Sequence, residues 1–309
     1  MTLATSGRPD LAALFPFSLD PFQLEAIDAL NQGHSVVVSA PTGSGKTLVG
    51  EYAIHRALAH GRKVFYTTPL KALSNQKLRD FRHQFGAERV GLLTGDLSVN
   101  REAQVVVMTT EIFRNMLYAE IDHPDEDPLE GVETVVLDEC HYMNDSQRGT
   151  VWEESIIHCP STIQLVALSA TVANAGQLTD WIERVHGPTR LVHSDHRPVP
   201  LAFSFCSAKG LHPLLNDEGT GLHPNCKVWR PPKTTRRKGG DRAPKPPQPE
   251  APPLGFVVAQ MAERDMLPAI YFIFSRRGCD KAVRDLGTAC LVNNDEQARI
   301  QARLHTFLA

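Results

Sequence analysis

The stretch Ala40-Pro41-Thr42-Gly43-Ser44-Gly45-Lys46-Thr47 constrains this chain more than any other. It follows Val36 to Val38, an apolar, β-branched run that reads as a buried strand. It precedes Leu48, Val49, Tyr52, Ala53 and Leu58, which recur at near-helical spacing. Strand, glycine-rich turn, Lys-Thr and helix are the setting that a phosphate-binding loop requires. Glycines let the backbone approach phosphate oxygens with no Cβ in the way. The helix start aims N–H donors and a partial positive charge at the same anion. Lys46 is then placed for the β- and γ-phosphates of a nucleotide, and the Thr47 hydroxyl for Mg²⁺. Ala40 stands where the usual pattern has a glycine. The whole of 40–47 is therefore an expected nucleotide-phosphate-binding segment, and it predicts an α/β fold with a mainly parallel sheet and helices on both faces.

A chain of 309 residues has room for two domains, or for one and a large part of another. The net charge of -3 carries no global mark of a polyanion binder, so any nucleic-acid surface must be local. The six cysteines are scattered without CxxC spacing. That argues against zinc and against a disulfide framework, and suits a reducing, cytoplasmic compartment. No apolar run approaches the length of a membrane span, and no basic segment followed by an apolar core opens the chain as a signal peptide would.

Other strand ends carry polar groups. Asp20 reads as a helix N-cap with Pro21 at the first helical position, and Phe22, Ala26, Ile27 and Leu30 as the buried face. Gln23, in the first turn, has an amide that both donates and accepts, as an adenine edge requires; the other reading is an exposed helical glutamine. Val64 to Thr68 is a second strand, followed by a helix start at Pro69 and Lys71. Val90 to Leu93 leads to Thr94-Gly95-Asp96, and Val105 to Met108 leads to Thr109-Thr110-Glu111, with Arg114 one turn further. In an open α/β sheet, ligands bind beyond the carboxyl ends of the strands. Pro69, Lys71, Gly95, Asp96, Thr109, Thr110 and Arg114 thus form an expected surface for a phosphodiester backbone.

Thr134 to Leu137 is an apolar strand that runs into Asp138-Glu139-Cys140-His141. Paired acids after a strand supply the second half of a triphosphate site. Asp138 would hold Mg²⁺ opposite Thr47, directly or through water. Glu139 would orient or deprotonate the attacking water. Lys46, Asp138 and Glu139 are the expected catalytic set. His141 is placed to sense phosphate or to touch Ser169-Ala170-Thr171, which ends the strand Gln164 to Leu168. His141, Ser169 and Thr171 are candidates for coupling the site to a second domain. A helix over 174–186 with Leu178, Trp181, Ile182 and Val185 inward, and a strand over 190–193, complete this part.

Residues 1–13 read as a flexible N-terminus, 14–205 as one domain, 206–255 as an insertion or linker, and 256–309 as the opening of a second domain. The linker holds many prolines and the basic residues Lys227, Arg230, Lys233, Arg236, Arg237, Lys238, Arg242 and Lys245. That composition buries no core; it reads as a solvated loop or as a source of nonspecific RNA affinity. The second part shows a helix over 256–264, a buried strand over 268–274, a turn at Ser275-Arg276 into another helix, and a helical tail over 293–309. A single strand cannot complete an α/β domain.

Together these motifs resemble superfamily-two RNA helicases of the DExH-box type, on the superkiller and exosome-cofactor branch. Phe17 to Gln23 is similar to that family's adenine-side motif, 40–47 to its motif I, Thr68 to Leu73 to Ia, and Thr94-Gly95-Asp96 and Thr109-Thr110-Glu111 to the Ib region. Asp138 to His141 resembles motif II with Cys140 where valine is usual, Ser169-Ala170-Thr171 motif III, and Phe274-Ser275-Arg276 motif IV. The wording at 112–117 and 148–154 resembles this branch, including its cyanobacterial and plastid members. The resemblance implies a RecA-like domain and the start of a second one. It also implies ATP and Mg²⁺ as cofactors, RNA as partner with Ser275 and Arg276 among its contacts, RNA-decay or RNA-processing proteins as further partners, and ATP hydrolysis coupled to 3′-to-5′ RNA unwinding. Motifs V and VI have no match after Asp280, so this chain is expected to resemble a truncated helicase with little turnover. Two other readings stay open: a noncatalytic nucleotide-binding or RNA-binding module, and a DNA helicase of the same superfamily.

Overall fold

The computed structural model describes residues 9–122, 127–145, 148–226, 251–287 and 291–308. The basic, proline-rich run from Lys227 to Lys245 lies outside them. The chain divides into two compact units, with the boundary after Pro200.

In the first unit, helices α1 (Leu11–Leu14) and α2 (Pro21–Asn31) lead into strand β1 (Ser35–Ser39). Then follow α3 (Thr47–Ala59), β2 (Lys63–Thr68), α4 (Lys71–Phe85), β3 (Val90–Thr94), β4 (Leu97–Val99), β5 (Val105–Thr109) and α5 (Thr110–Asp122). The unit closes with β6 (Val132–Leu137), α6 (Gly149–His158), β7 (Gln164–Ser169), α7 (Ala175–Val185) and β8 (Thr189–His193). The α1 helix overlaps the end of the stretch expected to be flexible, with the Asp10 side chain accepting from the Ala12 N–H.

The eight strands form one sheet in the order β4-β3-β5-β2-β6-β7-β1-β8. Every pairing is parallel except the β3–β4 hairpin. A parallel sheet covered on both faces needs strands that are apolar on both sides, which is why they read as near-continuous Val/Leu runs. Val36 and Val38 face a core with Tyr52, Ile54 and Phe81, whereas Val37 faces the other, with Phe113, Trp152 and Ile156. Full burial of each large apolar side chain contributes about 1.5–3 kcal/mol, so these two layers carry the fold. Because β1 lies between β7 and β8 while the chain continues to β2, the loop after β1 emerges where the strand order reverses. That is where α/β sheets bind ligands.

Two expectations need correction. Val185 is exposed: it is the last residue of α7, beyond the turn in which Ile182 meets the core. Residues 268–274 form no strand, and Ile270, Tyr271, Phe272 and Phe274 are exposed. A strand exists only against a partner, and the two strands described in the second unit, β9 (Ser204–Ser207) and β10 (Gly210–Pro213), pair with each other. The rest of that unit is helical: α8 (Leu254–Ala262), α9 (Arg276–Leu286) and α10 (Asn294–Leu308).

Candidate functional site

The loop between β1 and α3 is shaped by two glycines in the left-handed region, Gly43 at φ 85° and Gly45 at φ 84°. The positive φ at Gly45 favours glycine, and a Cβ there would stand 2.8 Å from Gln23 Nε2 and displace that amide. Ala40 is not in the left-handed region, so the missing first glycine costs the backbone nothing. Ser44 Oγ is buried and has no hydrogen-bond partner among the described residues, so its hydrogen-bonding capacity is unused.

Gln23 is buried, not exposed. Its Oε1 accepts from the Asp20 N–H at 2.9 Å and its Nε2 donates to the Gly45 carbonyl at 3.1 Å. A primary amide has two N–H donors and two acceptor sites. One of each is used here, which leaves one donor and one acceptor, the pair that an adenine edge requires.

Lys46 Nζ donates to the carbonyls of Ala40 at 2.8 Å and Pro41 at 3.0 Å. Burial lowers its pKa, an effect that the nearby carboxylates of Glu139 and Asp138 oppose. Asp138 follows β6, next to β2, and its Oδ2 accepts from Tyr66 Oη at 2.7 Å. Burial first, and Asp138 next, hold the Tyr66 phenol well above its ordinary pKa, so it stays a donor. Asp138 Oδ1 accepts from the Glu139 N–H at 2.9 Å. Lys77, on α4, donates to Thr47 Oγ1 at 3.3 Å and lies 3.7 Å from Asp138 Oδ2. Thr47 and Asp138 are thereby gathered around one point. Both offer hard oxygens, the chemistry of a Mg²⁺ site completed by phosphate and water. Among the described residues no cluster of three His, Cys, Asp or Glu could cage a metal without such help.

Glu139 has φ 55°, an uncommon backbone for a residue with a side chain, of the kind found where position matters more than strain. Its Oε2 is 3.3 Å from His141 Nδ1, and that same nitrogen lies 3.4 Å from the Ala170 nitrogen, so its one position serves the carboxylate when protonated and the Ala170 N–H when not. The acids and the Ser169–Thr171 loop are thus joined through one imidazole. Ser169 Oγ is turned onto the Ala170 carbonyl at 2.8 Å, and Thr171 is exposed.

The polar strand ends also converge. Pro69, Lys71, Gly95 and Thr109 line a groove of about 450 Å³, together with Asn115 and Arg148. Lys71 Nζ is 2.9 Å from Asp96 Oδ1, and that hydrogen bond is the main cause holding the Asp96 carboxyl below its usual pKa. Thr110 is buried and its hydroxyl donates to the Thr68 carbonyl at 3.3 Å, so it braces the loops. Arg114 pairs with Glu154 at 3.5 Å. Ser275 belongs to the second unit, where its Oγ accepts from the Gly278 N–H at 3.0 Å and caps α9, which begins at Arg276.

Four residues near these groups escaped the sequence reading. Tyr66 and Lys77 hold Asp138. Arg148 donates to the Pro69 carbonyl at 3.2 Å, and Arg197 to the Thr42 carbonyl at 3.3 Å. Only Lys77 carried a signal: it sits four residues before the buried Phe81, on the apolar face of its helix.

Cys140 is fully buried, and burial pushes its thiol pKa up to about 12. It therefore acts as a small apolar side chain. Iodoacetamide at pH 8 is expected to label the exposed Cys279 and spare Cys140, as read by peptide mass mapping. Cys140→Val is expected to change stability by less than about 1.5 kcal/mol.

A family model described as DEAD/DEAH box helicase matches residues 20–178. The chain is 42% identical to the DExH-box ATP-dependent RNA helicase DExH15 chloroplastic of Arabidopsis thaliana, a match covering 96% of this chain and 28% of that protein. It is 46% identical to the probable helicase HelY of Mycobacterium tuberculosis, covering 93% and 33%. Human exosome RNA helicase MTR4 is 39% identical, covering 93% and 27%. The chain spans about a third or less of the length of these relatives. Among solved structures, the DUF1998 helicase MrfA bound to DNA and AMPPNP shares the fold: the match covers 64% of this chain and 30% of that one, with a TM-score of 0.52 at 20% identity.

Proposed function

Because the chain belongs to the DEAD/DEAH box helicase family, we propose that it binds Mg·ATP at 40–47 and serves the coupling of ATP hydrolysis to RNA unwinding. The observation that carries this reading is the convergence of Lys46, Thr47, Asp138 and Gln23 on one sheet edge, beside a polar groove at neighbouring strand ends. RNA is favoured over DNA by the similarity to relatives named as RNA helicases.

In this reading Phe22 and Gln23 stand on the adenine side, and 40–47 wraps the phosphates. Lys46 exchanges the Ala40 and Pro41 carbonyls for phosphate oxygens. Thr47 and Asp138 would hold Mg²⁺, which when bound would neutralise phosphate charge. Glu139 orients the attacking water and takes its proton, with His141 against its carboxylate. Ser169 and Thr171 are the coupling residues in this reading. The RNA backbone runs over Pro69, Lys71, Gly95, Asp96, Thr109 and Arg114, with the buried Thr110 bracing those loops from beneath; Ser275 and Arg276 are taken, separately, as RNA contacts of the second unit. RNA-decay or RNA-processing proteins are the partners this reading favours, and the cytoplasm the place of action. No helix among the described residues is long and apolar enough to cross a membrane.

The test is single-turnover hydrolysis with the chain in excess over ATP. Glu139→Gln is expected to slow hydrolysis at least about 10²-fold while nucleotide affinity stays within about threefold. Equal rates for both proteins would exclude Glu139 from the chemistry and favour a noncatalytic module. Stronger stimulation by single-stranded DNA than by RNA would favour a DNA helicase.

A further inference from the structure

One charged side chain at the site has no part in that scheme. Lys77 lies on the face of α4 that carries Phe81, with its side chain only 16% exposed. Its Nζ stands 3.3 Å from Thr47 Oγ1 and 3.7 Å from Asp138 Oδ2. It also lies over two rings, 5.3 Å from the centroid of Tyr66 and 5.8 Å from that of Phe81. The ammonium therefore sits between the two oxygens assigned above to Mg²⁺.

We propose that Lys77 is a built-in counter-cation of Asp138 that competes with Mg²⁺ for the Thr47–Asp138 pair, and so sets the Mg²⁺ concentration at which nucleotide is held. This rests on the Mg·ATP reading of 40–47 and Asp138.

The physical case has three steps. Asp138 is a largely buried carboxylate, which is costly without a compensating charge. The Tyr66 hydroxyl and the Glu139 N–H give it hydrogen bonds but no charge; Lys77 gives charge at ion-pair distance, with Lys46 the further cation acting on it. Next, the faces of Tyr66 and Phe81 attract the ammonium and hold it in place beforehand. Finally, Mg²⁺ binds oxygen at about 2.1 Å, so an ion on Thr47 Oγ1 would lie no more than about 5.4 Å from Nζ where it now stands. Like charges at that separation in a half-buried site repel strongly, so ammonium and ion exclude one another. Lysine suits such a role because its charge is compact and its stem flexible enough to withdraw.

The experiment uses the full chain and a fluorescent, nonhydrolysable ATP analogue at fixed concentration, titrated with Mg²⁺. Lys77→Met fills the space between the rings without charge and is expected to lower the Mg²⁺ midpoint about tenfold. Lys77→Arg keeps a positive charge and is expected to stay within about threefold of wild type. Should the methionine variant not fold, Lys77→Gln is expected to give the same downward shift. A midpoint for the uncharged variants equal to or above wild type overturns the proposal. So does weaker analogue binding by those variants in EDTA, which would make Lys77 a phosphate ligand. A wild-type chain that binds the analogue with no dependence on Mg²⁺ overturns both this proposal and the site reading beneath it. A Mg²⁺-dependent wild type with unshifted variants overturns the Lys77 role alone.

Discussion

Replacing Lys46 with alanine is expected to raise the dissociation constant for Mg·ATP by about 10²- to 10³-fold and to leave the fold stable to within about 1 kcal/mol. Hydrogen bonds from a charged donor contribute about 1.5–3 kcal/mol each, and two bonds to phosphate oxygens account for the loss at about 1.4 kcal/mol per decade. The fold is spared because the lysine is not a structural asset. Its hydrogen bonds go to two loop carbonyls, and burial of its charge lowers its pKa. The sign follows from linkage. A lysine whose folded pKa lies below its unfolded value of 10.5 is bound to its proton less tightly in the folded chain. Its charge therefore disfavours folding below the folded pKa, and that cost is relieved as pH rises through the folded pKa toward 10.5. Wild type should gain stability relative to Lys46→Ala over that alkaline window. Melting curves at pH 8 and pH 10 check the sign, and a fluorescence titration checks the affinity. Wild-type affinity in the alanine variant would remove 40–47 from the nucleotide site.

Much of the first unit was legible because a sheet covered on both faces writes its strands as apolar runs. Val36 to Val38, Val105 to Val107 and Val135 to Leu137 are each such a run, closed by polar residues at the mouth of the sheet. The strand Leu97–Val99 was not legible: it is short and largely exposed, and only its pairing with Val90–Thr94 makes it a strand. Residues 268–274 show the converse, an apolar run with no partner among the described residues. The same distinction divides the site. Lys46 with Thr47, and Asp138 with Glu139, are neighbours along the chain, so spacing reveals them. Tyr66 meets Asp138 only because β2 lies beside β6, and Lys77 meets Thr47 only because their helices flank the same face. No periodicity encodes such cross-element contacts. Chemistry carried on one turn is readable; the groups that position it are not.

Arg56→Met should show the opposite division of effects, a loss of about 3–5 kcal/mol in stability with nucleotide affinity within about twofold of wild type at low temperature. Arg56 is buried on α3. Its Nε is 2.9 Å from Glu133 Oε1, Nη1 donates to the Leu30 carbonyl at 2.6 Å, and Nη2 donates to Gln164 Oε1 and to Thr134 Oγ1. Gln164 in turn donates to the carbonyls of Leu30 and His34. One guanidinium thus ties α3 to the end of α2 and to the first residues of β6 and β7. Methionine fills part of the volume but leaves Glu133 largely buried with only the half-exposed His60 near its charge. Stranding a buried charge is what makes the single change severe. At roughly 2–4 °C per kcal/mol for a unit of this size, the melting temperature should fall by about 6–20 °C. Adding Glu133→Gln to Arg56→Met should restore part of that loss, because it removes the stranded carboxylate; a double variant no more stable than the single one would show that the charge is not the cause. The affinity is spared for a topological reason. Glu133 and Gln164 lie at the amino ends of their strands, whereas Asp138 and Ser169 lie at the carboxyl ends. The sheet separates the network that holds the layers together from the edge that carries the chemistry, so the two kinds of variant should fail in different assays.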